Sequence, residues 1–166
     1  MPADVALNFG RLEVTSDGQT IVFQGDMSVD GTTQLYSMPA AGGDFVELFS
    51  IPLESDGVTQ RSDFDVNFFK LSHDGTMVAF VSDYLTNGVG EAFIVPTAGG
   101  VPVRVSDSAH FQQPPGNGFD VAFTGAPDRL QFSPDDSALY YVSDDGHDGQ
   151  FGLFRVPIAS PVLLGD

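Results

Sequence analysis

The sequence predicts an all-β fold made of three similar four-stranded units, and two observations carry that prediction. One phrase recurs at constant register, as LEVTSDGQTIVFQGD at 12–26, FKLSHDGTMVAFVSD at 69–83 and LQFSPDDSALYYVSD at 130–144. No stretch of a dozen residues shows helical periodicity, and 19 glycines and 11 prolines punctuate the chain throughout. We therefore expect one supersecondary unit used three times.

The spacing of the recurring residues indicates that whole units are repeated, not isolated turns. Matching positions lie 57 residues apart between the first and second units and 61 apart between the second and third. An Asp-Val pair before each unit recurs less regularly. The regular anchors are the turn aspartates Asp17, Asp74 and Asp135, the closing aspartates Asp26, Asp83 and Asp144, and the prolines Pro39, Pro96 and Pro157.

Each unit divides into four short strands. The turn is followed by an apolar run, such as Val78-Ala79-Phe80-Val81, that is short, β-branched and aromatic, as expected for a strand buried on both faces. Four antiparallel strands per repeat, stacked on their neighbours, describe a β-propeller blade. In the second unit the four expected strands cover about 65–72, 77–83, 91–97 and 101–106.

The length and composition suit one propeller domain. A chain of 166 residues is long enough for a substantial core, and a hydrophobic content of 42% with 15 phenylalanines excludes a disordered chain. We expect a single domain over 1–166, with blades at about 4–50, 64–106 and 120–165.

The phrase FSPDDSALYYVSDDG, followed by GLFRVP, resembles the repeat of TolB-type β-propellers. The pattern of that repeat is F-S-P-D-G, an apolar strand, S-D, then L-Y and a later Gly-Gly turn, and the other two units follow it. The resemblance covers nearly the whole chain. It implies a place in cell-envelope protein complexes, and hence a periplasmic or extracellular location, which the residues alone leave unknown. The chain departs from the family in its longer period and in having three blades, whereas TolB-type rings have six or more.

Three four-stranded antiparallel blades are half of a six-bladed ring and cannot close a ring alone. The outer faces of the first and last blades are therefore expected to expose apolar side chains that normally pack blade against blade. Two explanations remain open. The favoured one is a homodimer that closes a six-bladed ring by head-to-tail contacts, and the other is a fragment or engineered piece of a longer TolB-like propeller.

The charge and the cysteine content of the chain exclude several classes of partner and of metal site. Six Lys and Arg face 23 Asp and Glu, for a net charge of −17, and such a surface repels nucleic acid and anionic membranes. We expect neither as a partner. The absence of cysteine excludes disulfides and Cys-ligated zinc. The N-terminal MPADVALNFG has no basic or apolar region of the kind found in signal peptides, so none is expected.

The long loops of the chain are predicted to share one face of the blades. Connections between the fourth strand of one unit and the first of the next cover 50–65 and 106–128, and they join the loops between second and third strands on that face. We expect any ligand or protein partner to bind there. The candidate residues on this loop-rich face are Arg61, Asp83, His110, Gln112, Asp144 and His147.

One loop is a candidate metal site. The sequence DDGHDG places the carboxylates of Asp144, Asp145 and Asp148 in a glycine-bearing loop, where they could supply oxygen ligands to calcium. The loop does not match the EF-hand pattern, and a solvated acidic turn is the alternative. No other cofactor is expected.

The residues favour a scaffold over an enzyme. No G-x-S-x-G elbow is present, and SHDGT at 72–76 lacks the spacing and the aromatic residue of a sialidase Asp-box. We therefore predict a non-enzymatic propeller for protein-protein interaction or ligand binding. The alternative is a carbohydrate-active or lyase-type propeller that uses the loop-rich face.

Overall fold

The structure is a computed structural model that describes residues 9–28, 31–51, 53, 57, 63–85, 87–106, 129–143 and 151–158. Within these ranges the regular secondary structure consists of β-strands. The same ranges contain no helix of the length and apolarity needed to span a bilayer.

Eleven strands form three antiparallel sheets, one for each repeat. This arrangement confirms the predicted all-β propeller fold, and the fourth strand expected in the third unit falls outside the described residues. The limits proposed for the domain and its blades stay predictions. Blade 1 contains β1 (Phe9–Val14), β2 (Thr20–Gly25), β3 (Gln34–Pro39) and β4 (Val46–Glu47); blade 2 contains β5 (Val66–Leu71), β6 (Met77–Ser82), β7 (Glu91–Pro96) and β8 (Val103–Arg104); blade 3 contains β9 (Leu130–Phe132), β10 (Ala138–Ser143) and β11 (Gly152–Pro157).

The pairing of strands follows the register of the sequence repeat. The first three strands of each blade lie side by side in chain order, and equivalent residues face each other in all three blades. Positions 57 and 61 residues apart in sequence are therefore equivalent in space. The matching trios across three neighbouring strands are Leu12, Phe23 and Tyr36; Phe69, Phe80 and Phe93; and Leu130, Tyr141 and Phe154.

The core lies where neighbouring blades pack face to face. Val78 and Phe80 of β6 belong to an apolar cluster shared with blade 1. Ala79 and Val81, whose side chains point to the other face of the same strand, belong to a second cluster shared with blade 3. Blade 2 is thus buried on both faces, as its continuous apolar strand predicts.

Polar contacts join the blades around this apolar core. The buried Gln24 side chain donates from Nε2 to the carbonyl oxygen of Val66 at 2.7 Å, across the interface between blades 1 and 2. The amide of Gly100 donates to the carbonyl of Leu48 at 2.9 Å. These bonds satisfy polar groups that the packing of two sheets would otherwise leave unpaired.

Each turn between the first and second strands of a blade is organised by its aspartate. A hydroxyl two residues before the aspartate donates to Oδ1, and a backbone amide two residues after it donates to the same oxygen. These bonds favour the ionised carboxylate, so they lower the pKa of Asp17 and Asp74 and bring that of Asp135 to about 2. The hydroxyl donors are Thr15, Ser72 and Ser133.

In the third of these turns, Asp136 forms hydrogen bonds to the neighbouring blade, and we call this set of bonds the latch. Asp136 adopts a φ of 55°, where the equivalent positions of the other blades carry Gly18 and Gly75. Its carboxylate accepts the backbone amides of His73 and Asp74, each at 2.9 Å, and Oδ1 also lies 2.9 Å from His73 Nδ1. A residue that departs from the glycine pattern therefore connects the corners of blades 2 and 3.

We expect Asp136→Ala to lower the free energy of unfolding by about 1–3 kcal/mol, because two backbone amides lose a charged acceptor. Asp136→Gly also removes the acceptor but tolerates the positive φ, so it should be less destabilised than alanine by roughly 1–2 kcal/mol. Urea unfolding of both variants measures the difference. Two variants as stable as the parent chain would show that the latch contributes nothing.

The turn aspartates predict a loss of stability in acid. Because folding lowers their pKa values, the unfolded chain binds more protons than the folded chain between the two sets of values. Their contribution is fully present above the unfolded value of about 4 and is lost as the pH falls through the folded value, which for Asp135 is about 2. Melting temperatures between pH 5 and pH 2 check this, with Asp135→Asn as the comparison. The variant should lose less stability than the parent chain, and an equal loss would contradict the assignment.

Candidate functional site

The predicted ligand-binding residues fall mostly outside the described part of the chain. Asp83 is described, together with its hydrogen-bond partners. Whether the candidates come together on one face, and whether calcium binds among the three aspartates, stay predictions. The candidates outside the described residues are Arg61, His110, Gln112, Asp144 and His147, together with the metal candidates Asp144, Asp145 and Asp148.

Asp83 connects three segments near the end of blade 2. Its side chain is buried, and Oδ1 accepts the amide of Asp65 at 2.7 Å. Oδ2 accepts the amide of Gly88 at 3.0 Å. Asp65 in turn accepts the amide of Thr33 from blade 1 at 2.8 Å. Both oxygens of Asp83 are therefore engaged with backbone groups that hold the loop after β6 in place.

No group of three or more acidic or histidine side chains in the described ranges is placed to hold a metal ion. Buried polar atoms without a hydrogen-bond partner do occur there. Ser82 Oγ and Glu91 Oε2 are two of them, on residues that face each other across β6 and β7. Glu91 Oε1 is bound by Arg104, so this carboxylate already has a cation.

Three exposed apolar side chains of the described structure, Leu12, Val14 and Leu153, lie on the outward faces of the two terminal blades. We call the outward positions of β1, β2 and β3 the blade-1 end face. Leu12 on this face is 62% exposed, whereas the equivalent Phe69 and Leu130 are fully buried against a preceding blade. The end face comprises Leu12, Val14, Ile21, Phe23, Gln34, Tyr36 and Met38.

The outward positions of β9, β10 and β11 form the blade-3 end face. Leu153 on this face is 74% exposed, whereas the equivalent Leu35 and Ala92 are fully buried against a following blade. The two end faces therefore expose opposite sides of the same kind of sheet. The blade-3 end face comprises Gln131, Ala138, Tyr140, Val142, Leu153 and Arg155.

Charge is sparse on both end faces although the chain is strongly acidic. Among the outward positions of β9 to β11, Arg155 is the charged residue, and those described positions include no carboxylate. On blade 1, Glu47 of β4 faces outward beside Tyr36. The described end-face positions therefore carry few charges, as the core of an interface requires.

One polar edge of the blade-1 end face is incomplete. Gln34 Nε2 and Glu47 Oε1 are buried and have no hydrogen-bond partner. The equivalent residues of blade 2 are Glu91 and Arg104, which bind each other. A buried polar group without a partner is costly, and both atoms are already shielded from solvent in the single chain.

Sequence reasoning predicted exposed outer faces but named none of their residues. The register of the repeat identifies them, because it equates exposed Leu12 with buried Phe69 and exposed Leu153 with buried Ala92. The latch formed by Asp136 was also missed. Its signal is the replacement of glycine by aspartate at one of three equivalent turn positions.

Solved β-propellers share the fold of this chain at low sequence identity. TolB from Acinetobacter baumannii is 16% identical with a TM-score of 0.51, and the likeness covers 95% of this chain and 34% of that one. A structure from a study of two prolyl endopeptidases is 12% identical with a TM-score of 0.58 and covers 93% and 21% of the two chains. Prolyl oligopeptidase B from Galerina marginata is 16% identical with a TM-score of 0.55 and covers 93% and 21%.

These likenesses show a TolB-like propeller fold. The chain spans about a third of the TolB structure and about a fifth of the two peptidases. No protein-family model matches the chain, and no curated protein is similar to it in sequence.

The prediction that this propeller is non-enzymatic is wrong as a conclusion from the fold. Prolyl endopeptidases and prolyl oligopeptidase B are enzymes, and they contain the fold that this chain has. The missing G-x-S-x-G elbow concerned a hydrolase domain, and its absence from 166 residues says nothing about catalysis by a protein that contains such blades.

We expect Asp83→Ala to lower the free energy of unfolding by about 1–3 kcal/mol, because two backbone amides lose their acceptor. The exposed Asn87 of the same loop provides a control, since Asn87→Ala should stay within about 0.5 kcal/mol of the parent chain. Chemical unfolding measures both. If the two variants are equally stable, the carboxylate of Asp83 does not hold this loop.

Proposed function

We propose that this chain is a protein-interaction module, a propeller segment whose two end faces bind further blades and so complete a ring. One observation carries the proposal. Leu12 and Leu153 are largely exposed on the two end faces, whereas their equivalents in the other blades, such as Phe69 and Ala92, are buried between blades.

The energetic reason is the burial of apolar surface. Removing a leucine side chain from water contributes roughly 1.5–3 kcal/mol. Leu12 and Val14 on the blade-1 end face and Leu153 on the blade-3 end face lose this contribution in the isolated chain. Binding a blade on either side restores it, at the cost of ordering two partners.

A completed ring also gives the loop-rich face a role. We assign the loop after β6 to this face, and the two backbone amides that Asp83 accepts hold that loop, which suits a surface that presents ligand-binding residues. We also propose that a ligand or a protein binds to that face through the other candidate residues predicted from the sequence. A periplasmic or extracellular location, which the resemblance to TolB-type propellers implies, is part of the same proposal.

A covalent tandem of two full chains tests the proposal without assuming that separate chains associate. A flexible linker of about 20 Gly and Ser residues spans roughly 25 Å and supplies the second set of blades at millimolar effective concentration. We expect the tandem to melt at least about 4 °C above the single chain, when both are measured at about 1 μM, because apolar end faces become covered.

Two matched controls accompany the tandem. Leu153→Asp in both copies should remove the added stability, since it places a charge on the blade-3 end face. Val101→Asp in both copies should preserve it, because Val101 is exposed but belongs to neither end face. A tandem that melts at the same temperature as the single chain would reject the proposal.

A further inference from the structure

The geometry points to a second copy of this chain as the partner, bound head to tail, with the blade-3 end face of one copy covering the blade-1 end face of the next. This inference rests on the proposed function, because it names the source of the missing blades. Two such contacts related by a two-fold axis would join six blades in a ring.

The packing inside the chain provides the pattern for this contact. Leu35 of blade 1 is buried in the cluster that covers blade 2, and Ala92 of blade 2 is buried in the cluster that covers blade 3. Leu153 holds the equivalent position on the blade-3 end face. The blade-3 end face is therefore the kind of surface that twice covers a following blade within one chain.

The opposite surface follows the same rule. Phe69 of blade 2 and Leu130 of blade 3 are buried against the blade that precedes each of them. Leu12 is their equivalent on the blade-1 end face, and it is exposed. Leu12 and Leu153 thus hold positions that are covered at both interfaces within the chain.

The order of the faces favours head-to-tail contact over contact between two identical faces. Inside the chain, each interface joins the face that carries Leu35 or Ala92 to the face of the following blade that carries Phe69 or Leu130. Neither of these interfaces joins two faces of the same kind.

The charge of the chain sets a condition for association. Two copies each carrying −17 repel each other, while the end faces themselves carry few charges. Salt screens repulsion between separated surface charges and leaves apolar burial intact. Association should therefore strengthen when the ionic strength is raised from about 0.05 to about 0.5 M, where the screening length becomes much shorter.

Light scattering after size-exclusion chromatography, with the full chain, tests the inference. We expect the parent chain to have twice the chain mass of 17.6 kDa. Leu12→Asp and Leu153→Asp should each be monomeric alone, because every contact in either homodimer contains one altered face. A 1:1 mixture should associate at least tenfold more tightly than either variant alone, since it restores one contact between two unaltered faces.

Other outcomes overturn the inference. If Leu12→Asp or Leu153→Asp still dimerises like the parent chain, the contact joins two identical faces or lies elsewhere. A mixture that stays monomeric contradicts head-to-tail pairing. Val101→Asp should dimerise normally, and circular dichroism spectra confirm that each variant is folded. If either aspartate variant is unfolded, Leu12→Ser and Leu153→Ser replace the pair.

The result also separates this inference from the proposed function. Suppose that the parent chain is monomeric at about 100 μM but the covalent tandem, with its millimolar effective concentration, is stabilised. The second copy is then rejected as the partner, and the end faces remain blade-binding surfaces. A monomeric chain with an unstabilised tandem rejects both.

Discussion

The structure depends on one constraint, which is that each sheet is apolar on both faces and needs a neighbour on each side. Blade 2 meets this requirement, because Phe80 packs toward blade 1 while Val81 packs toward blade 3. Among the described residues, blades 1 and 3 have a neighbouring sheet on one side only. The exposed Leu12 and Leu153 are a direct consequence of where the row of blades stops.

Polar groups determine how closely and at what relative position the blades pack. A carboxylate at Asp136 and an amide at Gln24 each connect to the backbone of a neighbouring blade. Glu13 does the same by accepting the amide of Leu71 at 3.0 Å. Such directional bonds fix one arrangement of two apolar sheets, whereas apolar contact alone would tolerate several.

The repeat allowed the fold to be predicted in detail, because period and alternation together determine strand positions. The expected strands of the second unit match β5 to β8 to within a few residues, most loosely at the short β8. Irregularities were less accessible. Val66 and Phe68 lie on opposite sides of blade 2 because the register shifts between them. The residue types in this strand do not predict that shift. The environment of Asp83 was equally hidden, since its partners Asp65 and Gly88 come from two separate segments.

The turn aspartates have a consequence for how the chain acquires its structure. Within one hairpin, Asp74 binds Ser72 and Thr76, so the corner can close using residues that are only a few positions apart. Hairpins of this kind form in microseconds, long before distant segments meet. Each blade can therefore begin to fold on its own, and the slower step is the docking of one preformed sheet onto the next. The same docking step, carried out between chains, would complete the ring.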